Sequence, residues 1–514
     1  MFASDFPRCY CSPKRCLRYL ALLFLFSPLL VPLPSAAQDW LAAPLAGAIQ
    51  NPSGKVEKAQ VFIASERYDL AIQLLRDAVE NDRDPDAQYL LGWCQANGKG
   101  VPRSLLQAEQ SFFGAAQRKH FAAMYSLGRL RIDTAQPGST KRVESGIETL
   151  KDAAELGMGA AMRRLGQVYR AGVPGALEPD LAEAQAWFQK AGSVGDAESF
   201  YYEGEMLESG QLGKSDPVQA LALFNKAAVN GSTSAMVKLG MLAQSGSKPD
   251  PETALRWFEK AAALHSPEGH HRMGKLLQAS DPRKAIEQFR LAAQGGYAPA
   301  LVDYGIAHEE GLETAKDIAS AVKAYQEAAE KGDPIGLYRL AICYDQGLGI
   351  AKNNAKATEC FQTSGGAGYA EAQFRMGKRY ASGEISIKDP IAAAAWFQLG
   401  AAQGHAPSQC ALGEIYETAT GALQNPAAAL ELYQKAGEQG YAEAWFRLGR
   451  MVETGQSTAV NLEAAYQLYL GASEKGFSEA KPMAESVARR LTPAAVKAVE
   501  KSFKASPDQL PKLR

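Results

Sequence analysis

The densest group of side chains able to bind a metal or move a proton is His265, His270 and His271, in the run HSPEGHH. Imidazoles so close together are a common beginning for a zinc site. Here they straddle a turn between two helical segments. His265 stands where other units of the chain carry a turn glycine, and His271 where they carry an aromatic ring, so both read as structural. Cysteine offers little more. Cys9, Cys11 and Cys16 belong to the N-terminal segment, and Cys94, Cys343, Cys360 and Cys410 have neither a CxxC nor a paired spacing. Small apolar core thiols are one reading of these four. A Cys343–Cys360 bridge between the two helices of one unit, in an oxidising compartment, is the other. No HExxH, no GxSxG and no glycine-rich phosphate loop after a strand occurs. Carboxylates are spread over solvated helix faces, and no two are forced together as general acid–base chemistry needs. The expectation is a protein with no catalytic residue, no cofactor and no metal.

What the spacing does specify is a repeat. Within residues 429–449, Ala429, Leu432, Tyr433 and Ala436 line one helical stripe, Gly440 makes a turn, and Ala444, Leu448 and Gly449 line the next helix. The first helices of the units can be anchored on Gly92, Gly128, Gly166, Gly204, Gly240, Gly274, Gly305, Ala341, Gly377, Gly413 and Gly449. The second helices are anchored on a small residue, from Ala108, Gly146 and Ala184 to Ala429 and Ala465. Between Ala108 and Gly449, each step from a second-helix anchor to the next first-helix anchor is 20 residues. The step from a first-helix anchor to its own second helix varies from 11 to 18. A fixed step predicts tight packing through a short turn, and turn glycines stand at 157, 195, 231, 296, 332, 368, 404 and 440, where a positive φ is cheap. A variable step predicts a connection outside the packed seam.

Helix starts keep the same register. Four residues before the second-helix anchors stand Ser104, Asp180, Asp216, Asp250, Asp281, Asp317, Asn353, Asp389, Asn425 and Asn461, each a good N-cap. Arg142 is the exception. The second helices then read small-x-x-bulky-aromatic-x-x-small, as in Ala184, Trp187, Phe188 and Ala191. An aromatic pair recurring at one fixed place reads as core packing and not as a ligand cage.

LGWCQANGKGV over 91–101, LGQVYRAG over 165–172 with AQAWFQKA over 184–191, and YDQGLGI over 344–350 resemble the Sel-one-like repeat family, a branch of the tetratricopeptide-like helical repeats. The resemblance covers about residues 85 to 490. It implies an all-α, right-handed solenoid of about a dozen antiparallel helix pairs, with the first helices lining an inner, concave wall. On that wall the resemblance places Tyr89, Tyr125, Arg163, Tyr201, Tyr338, Phe374 and Phe446, three residues before each anchor, as a ladder for a protein or peptide partner. Internal packing of the same rings is the competing reading. Ala341 in place of glycine, and the short loops after Gly240 and Gly274, leave local curvature open. Some cysteine-rich relatives of this repeat act on β-lactams, but those carry paired cysteines in each unit, which this chain lacks.

At the N-terminus, Arg8, Lys14, Arg15 and Arg18 precede an apolar run from Leu20 to Val31 and the small residues Ser35-Ala36-Ala37. That order predicts a cleaved signal peptide over 1–37, and hence an exported protein, periplasmic or secreted. Its removal takes four of 55 basic and one of 56 acidic residues, leaving 51 against 55 and a formal charge near −4. So balanced a surface argues against a nucleic-acid partner. The remaining organisation is a linker over 38–54, a tetratricopeptide-like helix pair over 55–84, the solenoid over 85–478, capping helices over 479–506 and a tail over 507–514. The expected role is a non-enzymatic scaffold binding proteins or peptides along its inner face, with a glycan-binding adaptor of the cell wall or envelope as the alternative.

Overall fold

The computed structural model describes residues 49–50, 52–246, 248–312, 315–385, 387–419 and 423–511. The expected signal peptide, most of the expected linker and the end of the tail lie outside the described residues. Among those described, the chain forms 26 α-helices and no strand, with one isolated bridge between Val173 and Leu177. The helices pack in chain order as antiparallel pairs stacked side by side, an all-α solenoid. No helix among the described residues is long and apolar enough to cross a membrane.

The fixed step has a concrete cause. Helix Pro426–Glu438 ends with Gly440 at φ 81°, whose N–H donates to the Gly437 carbonyl at 2.8 Å. The Tyr441 N–H donates to the Ala436 carbonyl at 3.1 Å, completing a Schellman turn. Tyr441 is also the N-cap of the next helix, Ala442–Thr454. One residue therefore closes one helix and opens the next, with no slack between them. The same pair of bonds recurs at Gly195/Asp196, Gly332/Asp333 and His265/Ser266, and His265 takes φ 58° without a glycine's freedom.

The variable connection is pinned at both ends. All ten predicted caps accept a backbone N–H through the side chain, as Asp180 does from Glu183 at 3.0 Å. Their own N–H groups return to the carbonyl three residues after the first-helix anchor. Asp180 reaches Tyr169 at 2.7 Å across a long loop, and Asp281 reaches Leu277 at 2.8 Å across the shortest. The exception at Arg142 also resolves: helix Thr140–Glu155 begins earlier, with Ser139 as N-cap and no side-chain cap bond.

Within each unit the first-helix glycine receives an aromatic ring. A Cβ on Gly166 would lie 2.6 Å from the Phe188 ring, and one on Gly413 would lie 2.7 Å from Tyr433. At Ala341 the extra methyl is accommodated, and Ala341 and Phe361 share one buried cluster. Where the ring is a tyrosine, its hydroxyl needs an acceptor in the core. Tyr325 donates to Glu309 at 2.6 Å, Tyr433 to Glu417 at 2.8 Å and Tyr469 to Glu453 at 2.8 Å, each acid four residues after its anchor glycine. Burial and the adjacent carboxylate push all three phenols up.

Successive first helices also touch, as Ala298–Glu310 does Pro334–Gln346 and Ala197–Glu208 does Thr233–Ser245, so they form the inner side of the stack. Polar bonds lace this side. His120 Nε2 meets Asp86 at 2.9 Å, His271 Nε2 meets Asp303 at 2.7 Å and His405 Nε2 meets Glu371 at 3.0 Å, each joining neighbouring units. At the C-terminal end the order changes. Helix Pro493–Ala505 lies against Leu462–Glu474, Tyr466 donates to Glu500 at 3.1 Å, and the chain beyond folds back so that Leu510 covers Gly437. The last apolar face is thereby covered, as a repeat stack requires.

Two outcomes test this account. Gly166→Ala forces a methyl into the Phe188 ring and should lower stability by about 1–3 kcal/mol, as overpacked cores do, whereas Ala341→Gly should cost about 1 kcal/mol or less. Urea unfolding midpoints of the two variants measure the difference. The second concerns acid. Burial pulls the His120 imidazole below its ordinary 6.5, outweighing the upward pull of Asp86. The unfolded chain then takes up the proton more readily, so this stability is present above pH 6.5 and is lost as pH falls below it and through the lower folded-state value. The melting temperature of the native chain should therefore fall more steeply than that of His120→Asn between about pH 7.5 and 5; parallel curves would contradict the assignment.

Candidate functional site: the inner face

The ladder positions prove to be a structural seam with a few open rungs. Except for Tyr125, whose second helix carries no aromatic residue, each ring three residues before an anchor packs on the aromatic ring of its own second helix at a nearly constant separation. Tyr89 lies 5.9 Å from Phe112, Tyr201 5.8 Å from Phe224, Tyr338 5.7 Å from Phe361, Phe374 5.8 Å from Phe397 and Phe446 5.6 Å from Tyr469. His271 does the same at 5.8 Å from Phe289, filling the aromatic position. Most of these rings also reach the next turn: Tyr89 stacks on His120 at 5.0 Å and Phe446 meets Phe477 at 4.9 Å.

Tyr89 is fully buried and cannot touch a partner, which corrects its placement on an open wall. Tyr125 and Tyr338 are also buried, and present at most an edge. Arg163, Tyr201, Phe374 and Phe446 remain partly exposed. Arg163 donates to Asp196 at 2.6 Å and the Tyr201 hydroxyl to Glu205 at 2.7 Å, so each is already held in place.

Among the described residues, two of the clefts between first helices are lined by ladder positions. One, of about 680 Å³, lies among Phe121–Asp133, Gly159–Ala171 and Ala197–Glu208. Tyr125 and Arg163 line it with Arg129, Arg164, Gln167 and Tyr202. Its charges are paired internally, since Arg129 and Arg164 share Asp133. The other, of about 540 Å³, lies between Ala370–Ser382 and Ala406–Thr418, over Phe374 and Phe397. Sequence reasoning reached Phe374 but missed Lys378, Lys388, Ala411 and Ile415, which line the same cleft.

One cluster has the layout of an acyl-transfer triad. His405 Nδ1 meets Ser408 Oγ at 2.8 Å while its Nε2 meets Glu371 at 3.0 Å. The hydrogen bond from His405 holds the Glu371 carboxyl below its ordinary value. Ser408 is fully buried, however, and no substrate carbonyl can reach its hydroxyl. The trio fixes the joint between two units. The cysteines are similarly withdrawn. All four are free thiols, and burial pushes Cys94 up to about 12 and Cys343 and Cys360 to about 11. His265 and His270 stay apart from His271, whose Nε2 is taken by Asp303. Among the described residues no group of three or more His, Cys, Asp or Glu is arranged to hold a metal ion.

Comparison with known proteins agrees with this geometry. The solved structure of c5321, described as a protective antigen of uropathogenic Escherichia coli displaying an SLR fold, is 25% identical, covering 84% of this chain and 92% of that one, with a TM-score of 0.51. Among curated proteins, the DAP3-binding cell death enhancer 1 of Rattus norvegicus and that of Mus musculus are each 30% identical over 158 residues. That stretch is 30% of this chain and 30% of the length of those relatives. The Sel1 repeat description matches ten segments, 85–110, 159–196, 201–232, 233–266, 269–297, 298–333, 334–369, 370–405, 406–441 and 442–477. The unit it passes over is the one with Gly146, Leu150 and the early helix start at Thr140, which nonetheless folds as a helix pair. With more than half of its length so matched, the chain belongs to the Sel1 repeat family.

Proposed function

We propose that this protein is an exported, non-enzymatic scaffold that holds protein or peptide partners along the inner side of its helix stack. The observation that supports it most is the character of that side. It is an extended surface of successive first helices with two open clefts, and the groups that resemble catalytic machinery are buried inside the joints. Stacked repeats offer such long surfaces, and affinity there accumulates from many modest contacts. Export rests on the order of basic, apolar and small residues before Gln38. It also accords with the description of the Escherichia coli relative as a protective antigen.

Photo-crosslinking in cells tests the reading. A crosslinking residue in place of Tyr201 or Phe374 should capture the same partner, whereas one in place of Val218, which is 77% exposed on a second helix, should not. Capture from Val218 alone would overturn the inner-face assignment. Retention of the chain on isolated peptidoglycan, lost in the Tyr338→Ala/Phe374→Ala double variant, would favour the glycan-binding alternative.

A further inference from the structure

The cleft over Phe374 exists because one unit departs from its neighbours at two adjacent positions. Three residues before the anchor, where other units carry an aromatic ring or another bulky group, stands Cys410. Two residues before it stands Ala411, where six of the other ten units, both immediate neighbours included, carry a long cation (Arg164, Lys238, Arg272, Arg339, Arg375 and Arg447) and the remaining four carry Leu90, Ser126, Tyr202 and Asp303. Four of those long side chains pair with a carboxylate of the preceding unit, as Lys238 does with Glu208 at 2.6 Å and Arg447 with Glu414 at 2.8 Å, while Arg272 and Arg375 pair with Glu268 and Glu371 on their own helices. Ala411 reaches across nothing. The gap it leaves is floored by Phe374 and Phe397 and walled by Pro407 and Ile415.

The rim is charged on one side. Lys378 and Lys388 line the opening, both are exposed, and neither has an ion-pair partner among the described residues, although the Lys378 ammonium lies 5.7 Å from the centre of the Phe374 ring. The two carboxylates of the cleft, Glu414 and Glu443, are both engaged by Arg447 Nη2 at 2.8 Å. The first cleft, with Arg129 and Arg164 on Asp133 and Arg163 on Asp196, holds no such uncommitted charge. An apolar hollow with ammonium groups outside any ion pair at its mouth complements one kind of ligand.

We infer that this cleft receives an acidic peptide segment of a partner protein, with one bulky apolar side chain over Phe374 beside Ala411 and flanking carboxylates at Lys378 and Lys388. The inference rests on the inner-face reading and sharpens it to one place and one chemistry. Burial of the apolar side chain supplies the affinity, and the lysines select sign and speed encounter. Arginine at position 411 would restore what neighbouring units carry and close the cleft.

Fluorescence anisotropy with the purified chain and three labelled pentapeptides, EEFEE, EEGEE and KKFKK, tests it. EEFEE should bind at least about tenfold more tightly than either of the others. Ala411→Arg should weaken EEFEE by about tenfold or more, and Lys378→Glu/Lys388→Glu should weaken EEFEE while strengthening KKFKK. The lysine pair is exposed, so that double variant keeps the test sound even if Ala411→Arg fails to fold. No saturable binding of EEFEE at about 1 mM, equal binding of EEFEE and KKFKK, or EEFEE binding untouched by the double variant would overturn the inference. If Tyr201 still captures its partner in cells while EEFEE fails, the cleft assignment falls and the inner-face reading stands.

Discussion

The structure depends on a turn that has no spare residue. At the ten joints from His120 to Tyr441 the amide that completes the C-terminal cap of one helix belongs to the residue that opens the next, as Tyr441 does after Gly440. A helix pair with a flexible linker could settle against its neighbour at many angles. Here the αL residue and its two backbone bonds leave one, and the step of 20 residues is the sequence's record of that restriction. His265 shows that backbone geometry rules over residue type: it adopts the left-handed conformation that glycine takes elsewhere, because the joint admits no other.

Packing then builds on that fixed phase. Because first and second helices meet at a glycine, the ring of the second helix sits close to backbone, and its position becomes reproducible enough for a second ring to stack on it at 5.6 to 5.9 Å in unit after unit. The substitutions follow the same logic. Tyrosine at the buried ring position coincides with a glutamate one turn beyond the glycine, as with Tyr433 and Glu417, since a phenol hydroxyl buried without an acceptor would be costly. The inner surface is what remains after the seam is satisfied. It is interrupted where a joint lacks a residue to close it.

Much of this was legible in the sequence, because the signals repeat. The turn glycines, the ten N-caps and the small residues opposite the rings each recur at a fixed offset, so each unit checks the others. What escaped reading was whatever depends on depth. Tyr89 and Phe374 occupy equivalent positions in the repeat and each meets a histidine of the next turn, His120 and His405, yet one is fully buried and the other borders a cleft. That difference lies in what the neighbouring unit places across the joint, a relation between residues about 35 apart. Ala411 carried the clue as an omission, and an omission stands out only once the inner positions of all the units are compared. The triad-like spacing of Glu371, His405 and Ser408 was invisible for the same reason, as it spans two units through a turn.

The connections of uneven length lead somewhere else. Each that ends on one of the ten capping residues returns that residue's own amide to one particular carbonyl, whether the loop is as long as that before Asp180 or as short as that before Asp281. Growth or loss of residues there leaves the course of the stack unchanged and alters only the fringe beside it. In such an architecture a lineage can elaborate its edge, module by module, while the spine keeps its pitch. Lys388, which stands in one of these fringes at the mouth of a cleft, is where that freedom meets recognition.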